Sequence, residues 1–209
     1  KQTKPISRLT FDEAAELAYF GAKILHPTSI VPARQASIPV ILKNTLKPDL
    51  PGTIISNEPS GDFIKALAAK DGITAIKIKS DRMLLAHGFL RKVFEVFERH
   101  KISIDMITTS EVAVSLTIDT TEDIAPLLEE LRLYGKVEVD TVQTIVCVVG
   151  HLLQEEPGHA AKILGALKDV PIRMISYGGS KNNISILIDS HLKTAALRAL
   201  NHGLFNLEA

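Results

Sequence analysis

Cysteine is almost absent from this chain of 209 residues: the single one, Cys147, lies inside the apolar run Thr144 to Val149 (TIVCVV). That excludes a disulfide framework. A lone thiol in such a run reads as a reduced core residue, which fits a cytoplasmic setting. No apolar segment approaches the roughly 20 residues of a bilayer-crossing helix, and no signal peptide opens the chain, so no membrane partner is expected. Net charge is missing too, since 24 basic residues balance 24 acidic ones with no run of lysine or arginine. A nucleic-acid partner would need such a footprint and is not expected. The histidines show no metal-ligand spacing, and no metal is expected. Also absent, from the first 70 residues, is any glycine-rich loop able to hold a nucleotide phosphate. The sequence opens on Lys1 rather than Met, and Lys1 to Arg8 carries no start-of-fold signal. A piece of a longer protein is expected.

What is present predicts two or three small units rather than one large core. Thr10 to Leu25 reads as a helix: Thr10 stands three residues before Glu13, a capping-box spacing, and Phe11, Ala14, Leu17 and Ala18 share a face. Gly21 interrupts it and His26-Pro27 ends it. Ile30 to Gln35 predicts a short helix, Pro39 to Asn44 a buried strand, and Ser56 to Gly61 a linker, with a boundary between there and Gly72. From Ile73 the pattern becomes strand, helix, strand, strand, helix, strand. Thr74 to Lys79 alternates; Phe89 to His100 sets Leu90, Val93, Phe94 and Phe97 on one face. Ile102 to Ile107 and Val112 to Asp119 read as strands, Glu122 to Tyr134 as a helix and Val137 to Val142 as a strand. This βαββαβ order predicts a four-stranded antiparallel sheet with both helices on one face, a ferredoxin-like α+β unit.

The order then recurs through Ile145–Val149, Gly158–Lys168, Ile172–Tyr177, Ile184–Asp189 and Leu192–Gly203. At a spacing of 70, Val93, Phe94 and Phe97 match Ile163, Leu164 and Leu167; at 68, Ile104 and Met106 match Ile172 and Met174. The chain is internally duplicated. Its expected division is 1–66, 72–143 and 144–209. One mismatch is chemical: Asp105 of the first copy becomes Arg173 in the second, so a role for Asp105 with a cation belongs to the first copy alone.

The stretch from Met83 to Asp119 carries the binding chemistry. Gly88 precedes a helix whose first N–H groups, with the partial positive charge there, suit a carboxylate. Asp105 and Glu111, in or beside the loop between the next two strands, suit ammonium groups. Together they describe a pocket for a free amino acid, with two acids favouring a dibasic one; two solvated turn carboxylates are the blander reading. His26 has no visible catalytic partner, and Gly178-Gly179 reads as a hairpin loop rather than a phosphate nest.

Three words in the sequence carry a resemblance: RLTFDEAAELAYFGAKILHP (Arg8 to Pro27), MLLAHGF (Met83 to Phe89) and SIDMITTSE (Ser103 to Glu111). They resemble aspartate kinase of the lysine-sensitive, monofunctional type. The resemblance implies the end of an α/β amino-acid-kinase domain followed by two ferredoxin-like ACT domains that interleave in part. In the parent enzyme it implies Mg-ATP-dependent phosphorylation of L-aspartate to 4-phospho-L-aspartate, the first step toward lysine, threonine and methionine. It further implies feedback inhibition by L-lysine and a homodimer formed through the first ACT domains. The lysine contacts it implies are Met83, Ala86, Gly88, Phe89, Leu90, Ser103, Ile104, Asp105, Thr109, Ser110 and Glu111; Lys23 and Ile24 match a pair lining the ATP site. The family's phosphate-binding and catalytic groups match nothing in these 209 residues. The fragment is therefore expected to be silent on its own and to need no cofactor. Threonine as effector, or an ACT module acting in trans on another protein, are the alternatives.

Overall fold

A computed structural model describes residues 4–22, 25–59, 61, 63–80, 87–120, 123–151, 153, 155 and 157–207. Two compact units divide the chain: Asp71–Thr144 forms one, and Lys1–Lys70 with Ile145–Ala209 forms the other.

In the second of these the chain starts with β1 (Arg8–Thr10) and α1 (Phe11–Tyr19). The capping box is present: Glu13 N–H donates to Thr10 Oγ1 at 3.1 Å, and Thr10 N–H donates to Glu13 Oε2 at 2.7 Å. The helix stops short of the expected Leu25, because Gly21 turns the backbone to φ +100° and a Cβ there would meet the Ala69 carbonyl oxygen at 2.8 Å. A 3-10 turn (Pro27–Ile30) and α2 (Val31–Gln35) follow, then β2 (Val40–Leu42) and β3 (Thr53–Ser56). These strands form a small sheet in the order β1-β3-β2. The expected buried strand at Pro39–Asn44 is instead this edge strand: Ile41 is 57% exposed, since β2 pairs on one side only.

Two long strands, β4 (Ile64–Lys79) and β7 (Lys136–Gly150), span 16 and 15 residues, against a usual length of about 5–6. The division between the units falls inside each of them, after Lys70 and after Thr144. Gly72 (φ +76°) and Val142 (φ +58°) mark backbone departures close to those points. The sequence pattern cuts both strands: it starts the first only at Thr74, after a boundary placed between Gly61 and Gly72, and splits the second between Val142 and Ile145. In the structure, residues 64–70 supply the strand that the second copy lacks, which is how the copies interleave. Residues 1–66, set apart by the sequence reading, group here with 145–209.

The remaining elements of that unit are α5 (His159–Ala166), β8 (Met174–Tyr177), β9 (Asn183–Asp189) and α6 (Lys193–Phe205), with strand order β4-β7-β9-β8. Val146, Val148, Ile163, Ile186 and Leu200 are among the residues of its core.

The 71–144 unit adds α3 (Phe89–Arg99), β5 (Ile107–Thr109), β6 (Ala113–Ile118) and α4 (Ala125–Leu131) between its stretches of β4 and β7. Its strand order is β5-β6-β4-β7, and β6 runs antiparallel to both neighbours. Ile76, Ile78, Val114, Leu116 and Ile118 from the sheet meet Val93, Val96 and Phe97 of α3 and Leu127 and Leu131 of α4 in one cluster. Both helices therefore cover one face. Phe94, expected in that face, is 39% exposed, and Val96 takes its place. Positions 89, 93, 96 and 97 follow the helical period, whereas 94 falls about 100° beyond 93. At the far end of α3, Glu130 of α4 accepts from Arg99 and lies 3.0 Å from His100 Nε2. Bonds from Arg99 and then His100 hold the Glu130 carboxyl below its ordinary range.

Candidate functional site

Gly88 occupies the N-cap of α3 at φ +79°, with no side-chain cap. A Cβ placed there would meet nothing within 4 Å, so glycine is needed for its backbone conformation and not for space. The first-turn N–H groups, those of Phe89 and Leu90 among them, are donors without an intrahelical acceptor. Phe89 itself is 8% exposed and belongs to the core, so its backbone, not its ring, is available to a ligand. Leu90 and Ile104 pack against the same core.

Asp105 sits on a two-against-one irregularity at the start of β5. Within the strand the partners are Ile107 with Leu116, Thr108 with Ser115 and Thr109 with Val114. At its start, however, Asp105 N–H donates to the Thr117 carbonyl at 2.8 Å, while Thr117 N–H donates to the Met106 carbonyl at 3.0 Å. Two residues thus oppose one. This bulge is why regular strand covers only Ile107–Thr109 and not the expected Ile102–Ile107. It leaves the Met106 N–H out of the ladder, and Thr117 Oγ1 accepts it at 2.9 Å. Thr117 is fully buried and Met106 is 3% exposed. Bulges re-aim a side chain, and this one sets the direction of Asp105. Sequence reasoning missed Thr117; its one sequence signal is a hydroxyl residue between the apolar Leu116 and Ile118.

A prediction follows for Thr117→Val. Valine keeps the shape but leaves the buried Met106 N–H without an acceptor, at a cost of about 1–3 kcal/mol. A lower urea midpoint, with weakened binding of any ligand that uses Asp105, is expected; an unchanged midpoint would show that the hydroxyl is not needed.

Ser110 N–H donates to the Ala113 carbonyl at 2.8 Å, closing the turn that carries exposed Glu111. Ser103 and Thr109 are exposed as well. The sequence reading set Asp105 and Glu111 together beside one loop. The structure separates them to opposite ends of an extended arm, six residues or about 15–20 Å apart at roughly 3.3 Å per residue. Lys79, near the end of β4, opposes Ala113, and Thr74 opposes Ile118. The start of α3 and the Ser110–Glu111 turn therefore share one end of the unit, and Ser103 to Asp105 lie at the other. Met83, Ala86, Lys23 and Ile24 lie outside the described residues.

The second copy repeats this geometry with other chemistry. Gly158 begins α5 at φ +89°, and Arg173 N–H donates to the Leu187 carbonyl at 2.8 Å, as Asp105 does to Thr117. Leu187 has no hydroxyl, and Arg173 is tied to Asp189 at 3.1 Å. Burial pushes the Cys147 thiol up to about 12, so it is inert at neutral pH. Among the described residues no group of three or more His, Cys, Asp or Glu is placed to hold a metal, and no helix is long and apolar enough to cross a membrane.

A tandem of interleaved ferredoxin-like units, one with an acid and one with a paired arginine at the same place, is the architecture of a regulatory region. The chain belongs to the ACT-domain family, whose model matches residues 76–124 and 146–204, just over half of it. Its relatives are aspartokinases. It is 37% identical to the lysine-sensitive aspartokinase 3 of Escherichia coli over 97% of this chain and 47% of that protein. Against the chloroplastic aspartokinase 3 of Arabidopsis thaliana it is 37% identical over 98% of this chain and 39% of the relative. The chain thus spans under half the length of these relatives. Among solved structures, E. coli aspartokinase III superposes with a TM-score of 0.88 in its R-state complex with aspartate and ADP (37% identity, 97% of this chain, 47% of that one). Its T-state complex with lysine and aspartate gives 0.85 (36% identity, again 97% and 47%). A C-terminal regulatory domain of aspartate kinase from Porphyromonas gingivalis W83 is 50% identical over 69% of this chain and all of that one, with a TM-score of 0.63.

Proposed function

We propose that this chain is the regulatory portion of an aspartate kinase, the enzyme that uses Mg-ATP to convert L-aspartate to 4-phospho-L-aspartate. Its first ACT unit binds L-lysine and imposes feedback inhibition on the kinase domain. The observation that carries the reading is the bulge-held Asp105 of the first copy set against the ion-paired Arg173 of the second.

The separation of the two acids supports an assembly in which two chains share each site. Thr117 N–H to Met106 and Ser110 N–H to Ala113 turn the even-numbered residues of β5 toward β6. The backbone groups of Ile107 and Thr109 consequently face the open edge of the sheet. A second copy added antiparallel about a two-fold axis at Thr108 pairs Ile107 with Thr109 of the other chain. The same axis sets Asp105 of one chain opposite Glu111 of the other. Each of the two equivalent seam sites then holds both acids and the N-terminus of one α3. The carboxylate of lysine goes to the N–H groups at that N-terminus, and its two ammonium groups go to Asp105 and Glu111. Lysine shifts the equilibrium by preferring the arrangement of paired sheets that suits it.

Calorimetric titration of the 209-residue chain tests this, with L-lysine as ligand and L-threonine and L-methionine as controls. Saturable heat with lysine alone, about one per chain as two-fold symmetry requires, is expected. Saturation by threonine in its place would transfer the site to the smaller ligand, which has no second ammonium to occupy both acids.

A further inference from the structure

We infer that the 71–144 unit carries a second site, for a small phosphate-bearing polyanion, in a groove where β4 ends. The groove has a volume of about 800 Å³. Four cations line it: Lys77 and Lys79 of β4, Arg132 after α4, and Lys136 of β7. Lys79 and Lys136 converge on Glu138 at 3.2 and 3.1 Å, so that carboxylate holds two ammonium groups side by side. Among the described residues neither Lys77 nor Arg132 has a carboxylate partner. Glu111 stands in the turn between lining residues Ser110 and Val112, and the four cations still outnumber the two acids.

The walls are fixed in place. A Cβ on Gly135 would meet the Lys79 carbonyl oxygen at 2.3 Å, so the connection after α4 lies directly on the end of β4. Ser80 N–H donates to the Val112 carbonyl at 2.9 Å, tying the turn to the same strand. Ser80, Ser110 and Tyr134 add hydroxyl groups, and exposed Val112 and Leu133 form an apolar flank.

The duplication shows that a bare cationic face is not demanded by the fold. Ile76 and Ile78 correspond to Val146 and Val148, core residues in both copies. At the same spacing Lys77 and Lys79 become Cys147 and Val149, both fully buried. Where the second copy keeps this sheet face apolar and buried, the first gathers an excess of positive charge around an open groove. Several cations in a concave setting raise the local concentration of multivalent anions and match a phosphate chain better than a single carboxylate. The size accommodates a free polyphosphate or a nucleotide.

The test is calorimetry on the full chain with inorganic tripolyphosphate, ADP and citrate, at low and high salt. Saturable, salt-weakened binding of tripolyphosphate is expected. Tighter binding of ADP would make the source a nucleotide using the Val112–Leu133 flank, and equal or weaker ADP binding a free polyphosphate; both support the site. The Lys77→Gln/Arg132→Gln pair should weaken this binding about tenfold or more while leaving lysine titration unchanged. No saturable heat with either phosphate, equal binding of citrate, or an unaltered affinity in the double variant would overturn it. Phosphate binding by a chain that ignores lysine would leave this site standing and refute the lysine reading.

Discussion

Asp105→Ala is expected to abolish lysine binding while the protein stays folded. Asp105 is half-buried, and its ladder bond, N–H to the Thr117 carbonyl at 2.8 Å, belongs to the backbone and survives in alanine. Stability is therefore expected to shift by no more than about 0.5–1 kcal/mol. Binding is another matter. An ammonium drawn into a seam between two sheets gives up water, and removing its carboxylate leaves it unpaired. That costs about 2–5 kcal/mol, about thirtyfold to several thousandfold in affinity. Asp105→Asn keeps the shape and loses the charge, and should be nearly as damaging. The matched change in the second copy, Arg173→Ala, breaks only the pair with exposed geometry to Asp189 and should leave lysine titration untouched. Equal lysine affinity in wild type and Asp105→Ala, measured by calorimetry, would sink the site.

Much of this arrangement is legible in the sequence, and the illegible part has specific causes. The Thr10–Glu13 capping box, the break at Gly21, the glycine before α3 and the duplication all depend on spacing within one segment. The ferredoxin-like pattern follows from alternation and helical period. By contrast, β4 and β7 are cut short in the sequence pattern because Gly72 and the polar pair Gln143-Thr144 look like ends. Both strands continue past them, since each is needed by both units. The bulge at Asp105 is a property of two strands at once: two residues against one cannot be seen until the partner's register is known. The same holds for the separation of Asp105 from Glu111. Both acids were visible as a pair in sequence, but whether the five intervening residues extend or curl decides whether they serve one ligand in one chain. Here they extend, as β5.

That extension makes the strongest prediction a recovery of function from two inactive proteins. Alone, Asp105→Ala and Glu111→Ala should each fail to bind lysine, because in a two-fold dimer every seam site lacks the same acid. Mixed and allowed to exchange partners, they form heterodimers in which the damage is unevenly shared. One seam site then lacks both acids, and the other has Asp105 from the Glu111→Ala chain and Glu111 from the Asp105→Ala chain. With random pairing, half the dimers are mixed and each has one whole site, so lysine-binding capacity returns to about a quarter of wild type. Its affinity should equal that of the wild-type site, since the restored site contains every group of the original. Were both acids to act within a single chain, no mixture could bind, because no chain would hold both. A calorimetric stoichiometry that stays at zero after exchange, with heterodimers confirmed by native mass spectrometry, would rule out the shared site. A return to a quarter at undiminished affinity would establish that the effector is bound by two chains at once.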